Sequence, residues 1–288
     1  MENKISIVYI CDEYYVMPTC VSIQSIYENK KNSIYNIYIL GIDISERSKQ
    51  LIESIELKDI NIKLFTLENK YKNVNTTHVY VSKSALHKFD IPNILPDLDK
   101  VLYLDSDTIV QSDLAYLFNT DINDLYAGVV KDFSATYVNN DNERLGLKNY
   151  FNSGVMLLNL KNLRQENIPE KLLHYKLHSN CTKYMDQDCF NAIFEENVIF
   201  LNPKYNYLIA SENLYKNEAY ENIFPEIVHF ASLHPWKHKS VKYCEIWKRY
   251  LKNSVCKNYK LECDRPLFYT EKKNNKRIIY IGKIKITF

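Results

Sequence analysis

VLYLDSDTIV, residues 101–110, is the stretch whose reading decides how this chain folds. Val101, Leu102, Tyr103 and Leu104 form a short apolar run of the kind buried inside a sheet, and it stops on two carboxylates, Asp105 and Asp107. Two charges at the buried end of a strand need compensation, because a desolvated carboxylate without a partner is strongly unfavourable. The pair is therefore expected to face a cation and whatever that cation holds.

Outward from this run, strands and helices alternate. ISIVYIC (5–11) reads as a buried strand, and Pro18 stands where a helix beginning can use it, ahead of Val21, Ile23, Ile26 and Tyr27. SIYNIYILG (33–41) and INIKLFTL (60–67) read as strands around a helix, SERSKQLIESIE (45–56), with Ser45 as N-cap. SKSALHKF (82–89) reads as a short helix closed by Ile91-Pro92, DLYAGVVKD (124–132) as a strand ending near Asp132, and YFNSGVMLLNL (150–160) as another apolar segment. EKLLHYKLH (170–178) and QDCFNAIFEE (187–196) have helical spacing, and NVIFLNPKYNY (197–207) reads as a strand running into a polar loop. This order predicts an α/β fold with a mainly parallel central sheet and helices on both faces. Ligands of such sheets bind beyond the C-terminal strand ends, where Cys11-Asp12-Glu13 and Asp105-Ser106-Asp107 both fall.

Taken alone, the Asp-x-Asp admits three chemistries: a surface turn with two solvated acids, the nucleophile run of a phosphatase of the haloacid dehalogenase type, or a grip for a hard divalent ion bridging two phosphates. Against the phosphatase, Ile109 stands at the fifth position, where that run has Thr or Val, and the run sits far from the chain start. With 288 residues, 46% hydrophobic, there is chain enough for one large domain or a domain plus an appendage. Only five glycines, and neither a G-x-G-x-x-G nor a P-loop, argue that bound phosphates need cations rather than a glycine cradle. Seven cysteines without a C-x-x-C pair suggest reduced thiols. No run of about 18 apolar residues and no signal-like N-terminus is present, so a cytoplasmic protein is expected. The net charge of +2 hides a division: residues 237–288 carry 15 Lys and Arg against 4 Asp and Glu, which leaves 22 against 31 for residues 1–236. That basic tail interleaves Tyr243, Trp247, Tyr250, Tyr259, Phe268, Tyr269 and Tyr280, a pattern that suits an anionic membrane surface or nucleic acid, or else a solvated basic helix.

Five ordered segments together resemble the family 8 glycosyltransferases, retaining enzymes with a GT-A nucleotide-sugar fold. They are IVYICDEYYVMPTCVSIQSI, IPNILPDLDKVLYLDSDTIV, YFNSGVMLLNLKNLR, MDQDCFNAIF with FLNPKYNY, and VHFASLHPW, spanning residues 7–236. The resemblance implies a GT-A-like Rossmann-type domain over 1–236 and leaves 237–288 as a basic aromatic appendage. It implies Asp105, Asp107 and His229 as ligands of Mn²⁺ (or Mg²⁺), with Ser106 between the acids, and a UDP-sugar as donor. Asp12 is implied beside the uracil or ribose with Glu13 and Tyr14 nearby, and Asn152, Ser153 and Asp132 beside the donor sugar. Gly154 would let the backbone approach closely. Asp186 and Gln187 are implied near the anomeric carbon; from the residues alone Asp186 also reads as a helix N-cap. A Gln oxygen is a poor nucleophile, so same-face attack with Gln187 stabilising an oxocarbenium-like centre is expected.

Three departures from the family pattern stand out. Lys88 takes the place of an Arg, Tyr14 that of an Asn, and His229–Trp236 is one residue shorter than the family's His-x-x-Gly-x-x-Lys-Pro-Trp, without its Gly and with His234 in place of the Lys. Lys237 is then the substitute contact for the diphosphate. The resemblance implies a metal-dependent hexosyltransferase moving glucose or galactose to a bacterial surface glycan or glycolipid acceptor, at the inner face of the cytoplasmic membrane. A nucleotide-sugar-binding protein without turnover is the alternative. A nucleotidyltransferase would want a Gly-rich first loop that ICDEYYVMP lacks, and no nucleic acid partner is expected.

Overall fold

The computed structural model describes residues 4–75, 82–179, 183–217, 220, 222–261, 263, 268–273, 276–281 and 284–287, without the side chains of 216–217 and of 268 onward. Cys181 and the aromatic side chains of Phe268, Tyr269 and Tyr280 thus lie outside the described residues. Ten strands build the body: β1 (Lys4–Asp12), β2 (Ile34–Ile42), β3 (Ile60–Leu67), β4 (Lys100–Leu104), β5 (Thr108–Val110), β6 (Ala127–Lys131), β7 (Phe151–Asn159), β8 (Val198–Phe200), β9 (Tyr207–Leu208) and β10 (Ile227–His229).

Seven of them form the central sheet in the order β3-β2-β1-β4-β7-β6-β8. All its pairs are parallel except those of β7, which runs antiparallel to both β4 and β6. The inner strands read as continuous apolar runs because both faces are covered. Along β1, Ile5, Ile7, Tyr9 and Cys11 enter one core, with α1 (Val16–Asn29), while Val8 and Ile10 enter the other, with Leu86, Phe89 and Phe190. The two-residue period of the strand thus feeds both layers.

α1 is buried over most of its girth, and its polar residues answer to strand β5. Thr19, Ser22 and Ser25 recur every three residues on one face; they bond Ser106 Oγ at 2.8 Å, Thr108 Oγ1 at 3.2 Å and the Val110 N–H at 2.8 Å. Helix α2 (Glu46–Glu53) starts on the expected Ser45 cap, which accepts the Ser48 N–H. The segment 82–94 differs from expectation. It is a 3₁₀ helix over Lys83–Asp90 that continues as an α-turn over Ile91–Ile94, with Pro92 in its first turn, where the missing N–H costs nothing.

A second, three-stranded sheet, β5-β10-β9, crosses the C-terminal end of the first. β10 is antiparallel to β5, with His229 opposite Thr108, and parallel to β9. Beyond residue 237 the helix Cys244–Asn253 buries Trp247, Tyr250 and Leu251 in the same core as α1, and Asn29 Nδ2 donates to the Tyr250 hydroxyl at 2.8 Å. A separate antiparallel meander follows: β11 (Phe268–Lys273), β12 (Lys276–Ile281) and β13 (Ile284–Thr287). No disulfide joins the six described cysteines. Among the described residues no helix is long and apolar enough to cross a membrane.

Candidate active site

Asp105 follows the last residue of β4, and its N–H donates to the Gly154 carbonyl at 2.7 Å, so the carboxylate is held where the central sheet ends. Two residues on, the Asp107 carbonyl accepts the Phe230 N–H at 3.0 Å, which continues the β5–β10 ladder and draws in a residue more than a hundred positions away. His229 Nε2 lies 3.3 Å from Asp107 Oδ1 and 3.7 Å from Asp105 Oδ2. Ligand atoms of Asp105, Asp107 and His229 all fall within 4.8 Å of one another. Two carboxylates and one imidazole at that separation fit a hard or borderline divalent ion.

A basic counterpart sits beside them. Lys88, delivered by the 3₁₀ helix, is 4% exposed and lies 3.2 Å from Asp105 Oδ1 and 2.8 Å from Asp186 Oδ2, with Tyr103 under its ammonium. The Tyr103 hydroxyl donates to the same Asp105 oxygen. Between these groups passes the start of β7, whose backbone must come very close. A Cβ on Gly154 would stand 2.2 Å from His229 Cε1 and 2.7 Å from Asp105 Oδ2, so no side chain fits there.

The helix Met185–Phe194 presents the other wall. Asp188 is fully buried at its start and is held by Arg144, by the Tyr150 hydroxyl and by the Tyr184 N–H. Asp186 makes no N-cap bond; it accepts from Ser153 Oγ at 2.9 Å and pairs with Lys88. Gln187 Oε1 accepts from Asn152 Nδ2 at 3.0 Å and from the Ser153 N–H at 3.2 Å, while its amide nitrogen donates to Asp132 Oδ2 at 3.4 Å. Asp132 also caps the short helix Phe133–Tyr137 through the Ala135 N–H.

Asp105, Asp107, Lys88, Asp132, Asn152, Ser153, Asp186, Gln187 and His229 therefore share one connected network. The remaining sequence candidates are placed differently. Asp12 ends β1 and accepts the Tyr14 N–H, and Tyr14 is 84% exposed. Glu13 turns away from the acids and accepts from the Ser45 N–H, Ser45 Oγ and Ser48 Oγ at the start of α2. Ser106 points inward, between Thr19 and the Ile10 carbonyl. His234 stacks on Trp236 and brings Nε2 to 3.4 Å from Asp107 Oδ2, whereas the Lys237 side chain is exposed. Tyr103 and Asn206 went unsingled in the sequence. Tyr103 reads as one more apolar strand position, and Asn206 as loop polarity.

Electrostatically the site is arranged to hold positive charge. Burial would raise the Asp107 carboxyl, but His229 and His234 outweigh it and hold it far below the usual carboxylate range. Burial would lower His229 and Lys88; the acids, Asp107 and Asp105 for the one and Asp105 and Asp186 for the other, raise both instead. Asp132 behaves oppositely to Asp107: burial pushes it up against the hydrogen bonds from Ala135, Asn152 and Gln187.

A mainly parallel α/β sheet whose strand ends carry an Asp-x-Asp, met by a histidine from a small crossing sheet, is the build of a GT-A glycosyltransferase. The profile of glycosyl transferase family 8 matches residues 6–240, and the chain belongs to that family. It is 31% identical over 262 residues to a lipopolysaccharide 1,2-glucosyltransferase of Escherichia coli K12, covering 84% of this chain and 77% of that one. It is 29% identical to the glycosyltransferase GlyF of Streptococcus pneumoniae over 84% of this chain and 60% of that protein. Among solved structures, the galactosyltransferase LgtC in complex with donor and acceptor sugar analogues superposes with a TM-score of 0.79 over 87% of this chain and 96% of that one, at 22% identity. The fold is thus GT-A-like and the protein is a glycosyltransferase, as the sequence leads one to expect.

Proposed function

We propose that this chain is a divalent-metal-dependent, retaining hexosyltransferase that moves glucose or galactose from a UDP-sugar to a bacterial surface glycan, lipopolysaccharide or a related polysaccharide. The observation that carries this is the convergence of Asp105, Asp107 and His229 within 4.8 Å, facing the Lys88–Asp186–Gln187 wall. The lipopolysaccharide glucosyltransferase among the relatives supports the hexose and the acceptor class.

In this reading the three residues hold Mn²⁺ or Mg²⁺, which when bound neutralises the charge developing on the leaving diphosphate. Asp12 and Tyr14 receive the uracil and ribose at the end of β1, and the exposed Lys237 reaches the diphosphate while His234 is drawn to Asp107. Asn152, Ser153 and Asp132 orient the donor sugar. Lys88 pairs with Asp186 and positions it beside that sugar. Gln187 has both lone pairs of its oxygen engaged by Asn152 and Ser153, which disfavours nucleophilic attack by that oxygen. Attack by the acceptor on the face from which the nucleotide leaves, with Gln187 and Asp186 stabilising positive charge at the anomeric carbon, is the consistent route. The basic stretch 237–288 is proposed as an appendage that brings the enzyme to an anionic membrane surface, anchored to the catalytic domain by the helix Cys244–Asn253.

Slow hydrolysis of UDP-sugars needs no knowledge of the acceptor and gives the test. UDP-glucose or UDP-galactose is expected to be hydrolysed in the presence of Mn²⁺, and Asp105→Ala or Asp107→Ala should lower the rate at least about 100-fold, the scale of losing a charge-stabilising group. The far-UV circular dichroism of both variants should stay that of the wild type. Undiminished turnover in either variant would remove the metal assignment, and binding of UDP without any hydrolysis or transfer would favour a protein that has lost turnover.

A further inference from the structure

Asn206 was not among the residues that the sequence singled out, yet it is fully buried and joins the two halves of the site. Which end of an amide side chain is oxygen, and which nitrogen of a histidine carries hydrogen, is decided by hydrogen-bond partners. Here the decision can be traced from a group that has no choice. The Gly154 backbone N–H can only donate, and it meets Asn152 at 2.9 Å, so that end of Asn152 is the oxygen. The same oxygen lies 2.9 Å from Asn206, so the Asn206 end facing it is the NH₂. The other end of Asn206 is then the oxygen, and it lies 2.9 Å from His229 Nδ1, which must therefore carry the hydrogen.

A second backbone group checks the chain independently. The Ser153 N–H donates to Gln187 Oε1, and the Asn152 NH₂ that the first argument leaves free points to that same oxygen at 3.0 Å. Both anchors give one consistent orientation for three amides and one imidazole.

We propose that Asn206 is a positioning residue that holds His229 as the Nδ1–H tautomer, so that the Nε2 lone pair is presented to the cation between Asp105 and Asp107. In the neutral ring the other tautomer would point an N–H at the cation and a lone pair at the Asn206 oxygen, which is unfavourable on both sides. The Asn206 amide also links that choice to the donor-sugar wall, because its NH₂ fixes Asn152, which fixes Gln187. The inference rests on the metal reading above and adds to it a residue outside the Asp105, Asp107 and His229 cluster that acts through His229.

Two measurements on the full chain test it. In a ¹⁵N-labelled sample loaded with UDP and diamagnetic Mg²⁺, long-range ¹H–¹⁵N correlation is expected to show His229 protonated at Nδ1 and unprotonated at Nε2. Protonation at Nε2 would overturn the proposal without any variant. Titration of Mn²⁺ in the presence of UDP, read by electron paramagnetic resonance, is expected to show affinity about 10–100-fold weaker in Asn206→Ala, the usual effect of losing an outer partner of a metal ligand. An alanine variant that binds as the wild type does would overturn the proposal alone. Absence of Mn²⁺ binding in the wild-type chain would overturn it together with the metal reading.

Discussion

Ser232 sits at φ 79°, in the left-handed region that a side chain disfavours, within the segment that follows His229. The shortened segment lacks the Gly of the family pattern that it resembles, and Ala231 at φ 32° and Ser232 make its turn with side chains in place. Strain at one such residue costs roughly 1–2 kcal/mol. Ser232→Gly is therefore expected to raise stability by about 1 kcal/mol, read as a higher denaturant midpoint with an unchanged slope. An unchanged midpoint would mean that the neighbouring packing sets this backbone and not the residue. Gly154 is the opposite case, a glycine that the contacts with His229 and Asp105 require, and here the sequence expectation of close backbone approach is met.

At the scale of elements, Glu13 belongs to the start of α2. Its carboxylate takes three hydrogen bonds from Ser45 and Ser48, a favourable place for an anion beside a helix N-terminus. Partial burial would raise its pKa, but these hydrogen bonds, with Arg47 nearby, outweigh it and hold it below the ordinary value. A depressed folded pKa contributes stability above the unfolded value of about 4.3 and loses it as pH falls through the folded value. Glu13→Gln should cost about 1 kcal/mol at neutral pH, in the range of one charged hydrogen bond at an exposed site, and the variant's deficit should shrink below about pH 4. UDP affinity should be unchanged. A variant that keeps its stability but loses UDP binding would instead support the expectation that Glu13 lies by the nucleotide.

Across the whole molecule, the stretch after residue 237 has two unlike parts. Trp247 is fully buried against the body, so Trp247→Ala is expected to cost about 3–5 kcal/mol and to lower the denaturant midpoint sharply. Deleting residues 264–288 removes the terminal meander but keeps Leu261 and Cys263, the last described residues packed on the main core. That deletion should weaken association with anionic vesicles more than it weakens UDP-sugar hydrolysis. Equal losses in the two assays would make the meander part of the catalytic domain and leave the membrane reading without support.

The succession of strands and helices was legible in the sequence because burial leaves a local mark: ISIVYIC, broken only by Ser6, and VLYL are apolar runs with charge only beyond their ends, whereas the half-exposed edge strand INIKLFTL carries Lys63 in its middle. The Asp-x-Asp was legible as a pair of strand-end acids needing compensation, while the choice among its three chemistries came from the resemblance of five ordered segments. The direction of Glu13, the buried turn of Ser106 toward Thr19, and the coupling of Asn206 to His229 left no such mark. Side chains of one type, in loops of similar polarity, point toward the site or away from it according to which element packs beside them. The sequence by itself determined the α/β scaffold and the acids at its edge, because periodicity and desolvation act within a few residues. Only the tertiary structure decided which way each polar group faces, because hydrogen-bond partners such as Asn206 and His229, or Lys88 and Asp186, meet only after distant strands have paired.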